Sequence, residues 1–236
     1  HPYDETKEVR EVWRNTGSGW VKIPDFKIPI LLDEQNRDRK LQIHWVDING
    51  DGLTDLLTSS KAGNINKSKT WLSTGQGFVV NDKWQIPIKA ISNNRFGDTS
   101  YRLIDVNGDG FIDILYSRLA ENNSAEKGLF VNTGSEWKEK DASLVSELPS
   151  FSDNSGEDLG VRIFDVDGNG LPDIIKSYAS GTADSVAEKQ IFLNSARRSD
   201  VLETIDSGYG LKTSITYQTL LEGNTRSEER RVGKEC

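Results

Sequence analysis

Asp47-Ile-Asn-Gly-Asp-Gly-Leu-Thr-Asp55 decides the reading of this chain, because it recurs twice without gaps. The copies are Asp105-Val-Asn-Gly-Asp-Gly-Phe-Ile-Asp113 and Asp165-Val-Asp-Gly-Asn-Gly-Leu-Pro-Asp173, and successive copies start 58 and 60 residues apart. The shared pattern is D-x-[DN]-x-[DN]-G-x-x-D. A period of this length implies units that stack on one another, since one unit alone cannot bury its apolar face.

The chemistry of the loop is that of an oxygen cage. Calcium is a hard cation that takes six to eight oxygen ligands. Side chains at positions 1, 3 and 5 of a tight turn converge on one point: Asp47, Asn49 and Asp51; Asp105, Asn107 and Asp109; Asp165, Asp167 and Asn169. Position 7 is Leu53, Phe111 or Leu171 and would lend its backbone carbonyl, leaving its side chain to pack inward. Position 9 is Asp55, Asp113 or Asp173 and would close the site. Glycine at position 6 permits the sharp turn. About three structural Ca²⁺ sites are therefore expected. Position 12 is Thr58, Tyr116 or Lys176, not the bidentate Glu of an EF-hand, and Pro172 opposes a helix after the loop. The same Asp and Asn residues also suit plain Asx turns, which bind nothing. Three copies that all keep the ninth-position Asp favour the metal.

Short apolar runs flank each loop. Leu41 to Val46, Tyr101 to Ile104 and Val161 to Phe164 precede the loops, and Leu56-Leu57, Ile114-Leu115-Tyr116 and Ile174-Ile175 follow them. Their β-branched and aromatic content predicts strands. A second motif follows each loop: Trp71-Leu-Ser-Thr-Gly-Gln-Gly-Phe78, Phe130-Val-Asn-Thr-Gly-Ser-Glu-Trp137 and a degraded Phe192-Leu-Asn-Ser195. It also appears early, as Trp13-Arg-Asn-Thr-Gly-Ser-Gly-Trp20. It reads as a strand and a Gly-containing hairpin turn. Each unit then holds about four strands, the size of a propeller blade. The fold class is all-β: a partial β-propeller with the calcium loops in hairpins. Polar segments Ser59 to Lys69, Arg118 to Gly128 and Ser177 to Gln190 read as loops between the second and third strands, either a shared binding face or solvated connectors.

Composition narrows the function. The chain has 236 residues, 35% hydrophobic and 28% charged, as in a globular protein. With 37 acidic against 29 basic residues and a net charge of −8, it lacks the basic patch of a nucleic-acid surface. No apolar run is long enough for a membrane span. The chain starts at His1 and contains no Met, so its N-terminus reads as cut. Residues Arg226 to Cys236, RSEERRVGKEC, look like the translation of a sequencing-library adapter, with a native charged tail as the alternative. Without them the charge is −9 and no cysteine remains, so disulfides do not brace the rest. Catalysis is not expected: His44 is the one histidine after His1, it sits in a strand-like run, and no nucleophile elbow, phosphate loop or zinc spacing appears.

Over roughly residues 9 to 195 the loops and period resemble FG-GAP and VCBS repeats, also found in integrin α-chain propellers. This resemblance implies a seven-bladed propeller, of which about three and a half blades lie in this chain, with the loop positions above as metal ligands. Residues Asp200 to Leu220 carry a second resemblance, at Leu202, Ile205, Gly208, Gly210, Thr213, Ile215 and Tyr217, to a segment of insecticidal toxin complex B components, SpvB-like proteins and RHS-repeat proteins. The other reading of these residues is an ordinary alternating strand after a Gly turn. The organisation implied is a repeat region over 1–199, a strand leading to a further domain over 200–225, and a non-native tail over 226–236. The function implied is a non-enzymatic calcium-binding scaffold that docks a protein partner, secreted or at the cell surface of a bacterium. The alternative is a carbohydrate-binding or adhesion module with a glycan partner, where Trp20, Trp84 and Trp137 stack on sugars instead of packing between blades.

Overall fold

The computed structural model describes residues 10–32, 42–62, 65–87, 100–179, 188–196 and 202–216. Every regular element among them is a β-strand except one 3-10 turn at Ala142–Val145. The strands pair antiparallel throughout the two four-stranded sheets, in the two separate hairpins and between Asp173–Tyr178 and Glu188–Phe192. Two sheets are complete four-stranded meanders: β3 (Gln42–Val46), β4 (Asp55–Ala62), β5 (Ile65–Ser73), β6 (Phe78–Asn81), and β7 (Tyr101–Ile104), β8 (Asp113–Leu119), β9 (Ala125–Asn132), β10 (Trp137–Glu139). A third sheet holds β11 (Val161–Phe164), β12 (Asp173–Tyr178) and β13 (Glu188–Phe192). Two hairpins stand apart, β1 (Trp13–Asn15) with β2 (Trp20–Lys22), and β14 (Thr204–Asp206) with β15 (Lys212–Ser214). These are the blades of a partial β-propeller, as the sequence repeat predicts.

Burial within a blade explains the sequence pattern. The second strand is central, so both its faces are covered: Leu56, Leu57 and Ile114 are fully buried, and the run reads as continuously apolar. The first and fourth strands of these blades are mostly half-buried or exposed instead. The repeat loops join first strand to second. Val46 pairs with Asp55 and Ile104 with Asp113, so each loop is the tip of a hairpin.

The chain divides into two compact units, one of residues 1–104 and 110–161, the other of residues 105–109 and 162–236. In the first, Ile48, Leu57, Trp84, Ile86, Tyr101, Ile114, Tyr116 and Phe130 form one core cluster drawn from both complete blades. Trp84 and Trp137 meet edge-on, 5.9 Å between centroids. They pack inside the fold; Trp20 stays 65% exposed.

The second motif forms the same turn three times. Thr16, Thr74 and Thr133 donate their N–H to the carbonyls of Gly19, Gly77 and Glu136, each at 2.9 Å. Gly17, Gly75 and Gly134 take the positive φ that this turn requires.

The polar segments between second and third strands are less loop-like than expected. Strand β4 runs to Ala62 and β5 begins at Ile65, so most of Ser59 to Lys69 is paired. In Arg118 to Gly128 the unpaired part shrinks to a turn near Ala120–Ser124. Cross-strand pairing satisfies the backbone, and opposite charges face each other there: Arg118 Nη2 lies 2.7 Å from Glu126 Oε2, and Lys176 pairs with Glu188. Composition alone registers such residues as polar and does not see the partner strand. The middle of Ser177 to Gln190, the expected boundary at 199–200, Tyr217 and the 226–236 tail lie outside the described residues. No helix among the described residues is long and apolar enough to cross a membrane.

Candidate metal centre

Each loop folds around its first aspartate. Asp47 Oδ1 accepts the N–H of Gly50 at 2.8 Å and of Asp51 at 3.2 Å, and Oδ2 accepts that of Gly52 at 2.7 Å. Asp165 repeats this with Gly168 at 2.7 Å and Gly170 at 2.8 Å. In the second loop Asp105 accepts from Gly108 at 2.7 Å and Asp109 at 3.2 Å. The glycines at positions 4 and 6 all have φ between 72° and 85°. The need for glycine at position 4 is as strict as at position 6, although the sequence reading singled out only position 6.

Positions 3 and 5 bind one another. Asn49 Nδ2 donates to Asp51 Oδ2 at 2.9 Å, Asn107 Nδ2 to Asp109 Oδ2 at 2.8 Å, and Asn169 Nδ2 to Asp167 Oδ2 at 3.2 Å. The amide thus shields one carboxylate in every loop.

The ninth-position aspartate joins the loop to its blade. Asp55 is fully buried; its Oδ2 accepts from Ile48 N–H at 3.1 Å and its Oδ1 from Ser73 N–H, at the end of β5, at 2.7 Å. Asp173 does the same with Val166 and Asn194, both at 2.8 Å. Asp113, also fully buried, accepts from Asn132 N–H at 2.8 Å. Burial raises the Asp55 carboxyl above its ordinary range; the N–H bonds from Ser73 and Ile48 oppose this, and the charges of Asp51 and Asp47 add to it.

The third loop brings three carboxylates together. Asp165, Asp167 and Asp173 each offer an oxygen, all within 4.8 Å of one another. The first two loops have Asn at position 3, so their carboxylates are at positions 1, 5 and 9. The donors are not exhausted. A carboxylate has about four lone-pair sites; in the third loop two hydrogen bonds fall on each of Asp165, Asp167 and Asp173. Clustered, partly satisfied oxygens of this kind fit a hard cation.

The position-7 side chains diverge. Leu171 is buried, as expected, but Leu53 is 37% exposed. The Phe111 ring lies over the preceding loop: a Cβ added to Gly50 would meet its Cε1 at 2.7 Å, and one on Gly134 its Cζ at 3.0 Å. Inward packing depends on what the neighbouring repeat presents, which the loop's own residues do not specify.

Sequence reasoning missed the asparagines of the second motif. Asn132 is fully buried, and its Nδ2 donates to Ile48 O of the preceding loop at 2.8 Å. Asn194 Nδ2 donates to Val106 O at 2.8 Å. The signal available was a recurring Asn before Thr or Ser, at positions 15, 132 and 194. His44 is committed to structure: its Nε2 lies 2.7 Å from Tyr101 Oη, which lies 2.9 Å from Ser59 Oγ.

Comparison with known proteins follows the same repeat. Integrin alpha-4 of Xenopus laevis is 29% identical over 153 residues, covering 58% of this chain and 14% of that protein. Integrin alpha-PS5 of Drosophila melanogaster is 29% identical over 139 residues, covering 54% of this chain and 14% of that protein. The chain thus spans about a seventh of the length of these curated relatives. A family model described as the FG-GAP-like repeat matches residues 47–116 and 105–175, more than half of the chain. Each match starts on the first aspartate of a loop and ends in the strand after the next loop, so what it recognises is the loop-and-meander unit, and the chain belongs to the FG-GAP-like repeat family.

Proposed function

We propose that this chain is a calcium-braced stretch of β-propeller that serves as a non-enzymatic scaffold and protein-docking module in a secreted or cell-surface protein. The observation that carries the metal part is the carboxylate trio Asp165, Asp167 and Asp173, in a loop whose hydrogen bonds recur in the other two. Oxygens at positions 1, 3, 5 and 9 and the carbonyl at position 7 would hold the ion. Bound Ca²⁺ neutralises carboxylates that otherwise repel. Asp55 and Asp113 fasten the loop to the third strand of the blade, and Asp173 to Asn194 just beyond it, so the ion braces the hairpin and not a moving part. The non-enzymatic reading is supported by His44, half-buried and bonded to the core residue Tyr101.

Two settings are compatible with this role. The Thr204–Asp206 and Lys212–Ser214 hairpin carries the segment similar to toxin-complex and RHS proteins. The adhesion reading is favoured by the names of the relatives, which are integrin alpha chains. One surface also supports it. Trp13 and Trp20, 51% and 65% exposed, stand on the same face of the β1–β2 hairpin, because Asn15 pairs with Trp20 and Trp13 with Lys22. Adjacent exposed indoles suit stacking on sugar rings.

Thermal melts with Ca²⁺ and with chelator test the metal part: a clear rise with Ca²⁺ is expected, and equal midpoints would refute it. Sequencing the flanking DNA separates the settings. Downstream RHS repeats support the toxin shell, a membrane anchor supports adhesion, and glycan-array binding abolished by Trp20→Ala supports a sugar ligand.

A further inference from the structure

Every metal loop carries an Asn-Gly dipeptide: Asn49-Gly50, Asn107-Gly108 and Asn169-Gly170. Such pairs are chemically labile, because glycine has no side chain to hinder attack by its own amide nitrogen on the preceding side-chain carbonyl. The structure shows why these three are restrained. The attacking nitrogen is tied down in each loop, with Gly50 N–H on Asp47 Oδ1 at 2.8 Å, Gly108 N–H on Asp105 Oδ1 at 2.7 Å and Gly170 N–H on Asp165 Oδ2 at 2.8 Å. The attacked amide is held at both ends as well. Asn49 Oδ1 accepts Asp51 N–H at 3.0 Å while its Nδ2 binds Asp51 Oδ2. Asn107 does the same with Asp109, at 3.1 and 2.8 Å. Asn169 Oδ1 accepts Leu171 N–H at 2.7 Å, and its Nδ2 donates to Asn194 O at 2.8 Å.

We propose that Asn49, Asn107 and Asn169 are deamidation sites gated by the first aspartate of each loop. When the gate opens, a base removes the glycine amide proton and that nitrogen bonds to the asparagine Cγ. The Cγ–Nδ2 bond breaks and ammonia leaves, taking up a proton from water. Water then opens the resulting succinimide on either side. Opening at Cγ leaves aspartate; opening at the main-chain carbonyl leaves isoaspartate, with the chain running through the side-chain carbon. The net change is asparagine plus water to an acid plus ammonia, with no oxidant or reductant. The aspartate product places a fourth carboxylate at position 3 of the first two loops or position 5 of the third. The isoaspartate product lengthens the backbone inside a turn built on a fixed set of N–H bonds. The consequence for metal binding rests on the proposed function; the gate itself rests on the aspartate and not on an ion.

Peptide mapping by mass spectrometry after incubation at mildly alkaline pH, in chelator, tests this on the whole chain. Folded protein is expected to deamidate at all three asparagines roughly tenfold more slowly than urea-denatured protein, since a hydrogen bond to a charged acceptor must first break. Asp47→Ala is expected to raise the Asn49 rate alone, with Asn107 and Asn169 in the same molecule as internal standards. Equal rates in folded and denatured wild type overturn the proposal, and so does an unchanged Asn49 rate in folded Asp47→Ala. If that variant unfolds, all three rates rise together and the wild-type comparison decides. An added calcium arm separates the readings: slow folded rates that Ca²⁺ leaves unchanged uphold the aspartate gate while counting against the bound ion.

Discussion

Gly50 and Gly52 share a left-handed backbone, with φ of 75° and 83°, but only Gly50 has a side chain pressed against it. Alanine at either position meets the left-handed penalty of about 1–2 kcal/mol. At Gly50 the new Cβ also meets Phe111 at 2.7 Å, whereas at Gly52 nothing lies within 4 Å. Gly50→Ala is therefore expected to destabilise by at least 1 kcal/mol more than Gly52→Ala; equal denaturant midpoints would show that Phe111 moves aside freely. His44 sets a second expectation. Ser59 donates its hydroxyl to Gln42 Oε1 at 3.0 Å, which leaves Tyr101 O–H to donate to Ser59 and His44 Nε2–H to donate to Tyr101. That donor exists in both the neutral and the charged ring, and burial is what favours the neutral form, lowering the pKa from 6.5 to about 4. A depressed folded-state pKa means that the unfolded chain binds the extra proton first. Stability contributed by neutral His44 is whole above pH 6.5 and is lost as pH falls from there towards 4, up to about 3 kcal/mol. His44→Gln should flatten that part of the stability–pH profile, and an unchanged profile would assign the loss to carboxylates.

Within an element, the turn of the second motif does more than reverse the chain. Asn132 caps its own turn through Gly134 N–H at 2.9 Å and, 84 residues back, satisfies the buried carbonyl of Ile48. Asn132→Ala leaves that carbonyl without its donor, at a cost of about 1–3 kcal/mol. Asn15 occupies the same place in the first copy, but it is exposed and bonds only locally, to Gly17 N–H at 2.8 Å. Asn15→Ala is expected to cost a few tenths of that, and thermal melts of the two variants measure the difference. Equal losses would mean that the long-range bond contributes nothing. The turn itself was legible from Thr-Gly and its flanking aromatics. The clamp was not, because its acceptor is a main-chain carbonyl and carries no residue-type signature.

For the whole molecule, charge is the variable to change. Each loop carries three carboxylates against a background net charge of −8, so an ion-free protein stores repulsion at every loop. In chelator, about 1 M salt should raise the melting temperature, because the screening length there is near 3 Å. With Ca²⁺ bound the same salt should do much less; an identical salt response in both conditions would argue that the loops hold no ion. What followed from the residues alone was the repeat, the strand content, the hairpin setting of the loops and their oxygen donors. These depend on local spacing and on which side chains carry oxygen. What required the folded chain was the carboxylate trio of the third loop, the Phe111 contact with Gly50, the burial of Trp84 beside Trp137 and the reach of Asn132 to Ile48. Each of these brings together atoms from separate strands or repeats, or sets distances within a few ångströms, and a pattern along one chain records neither.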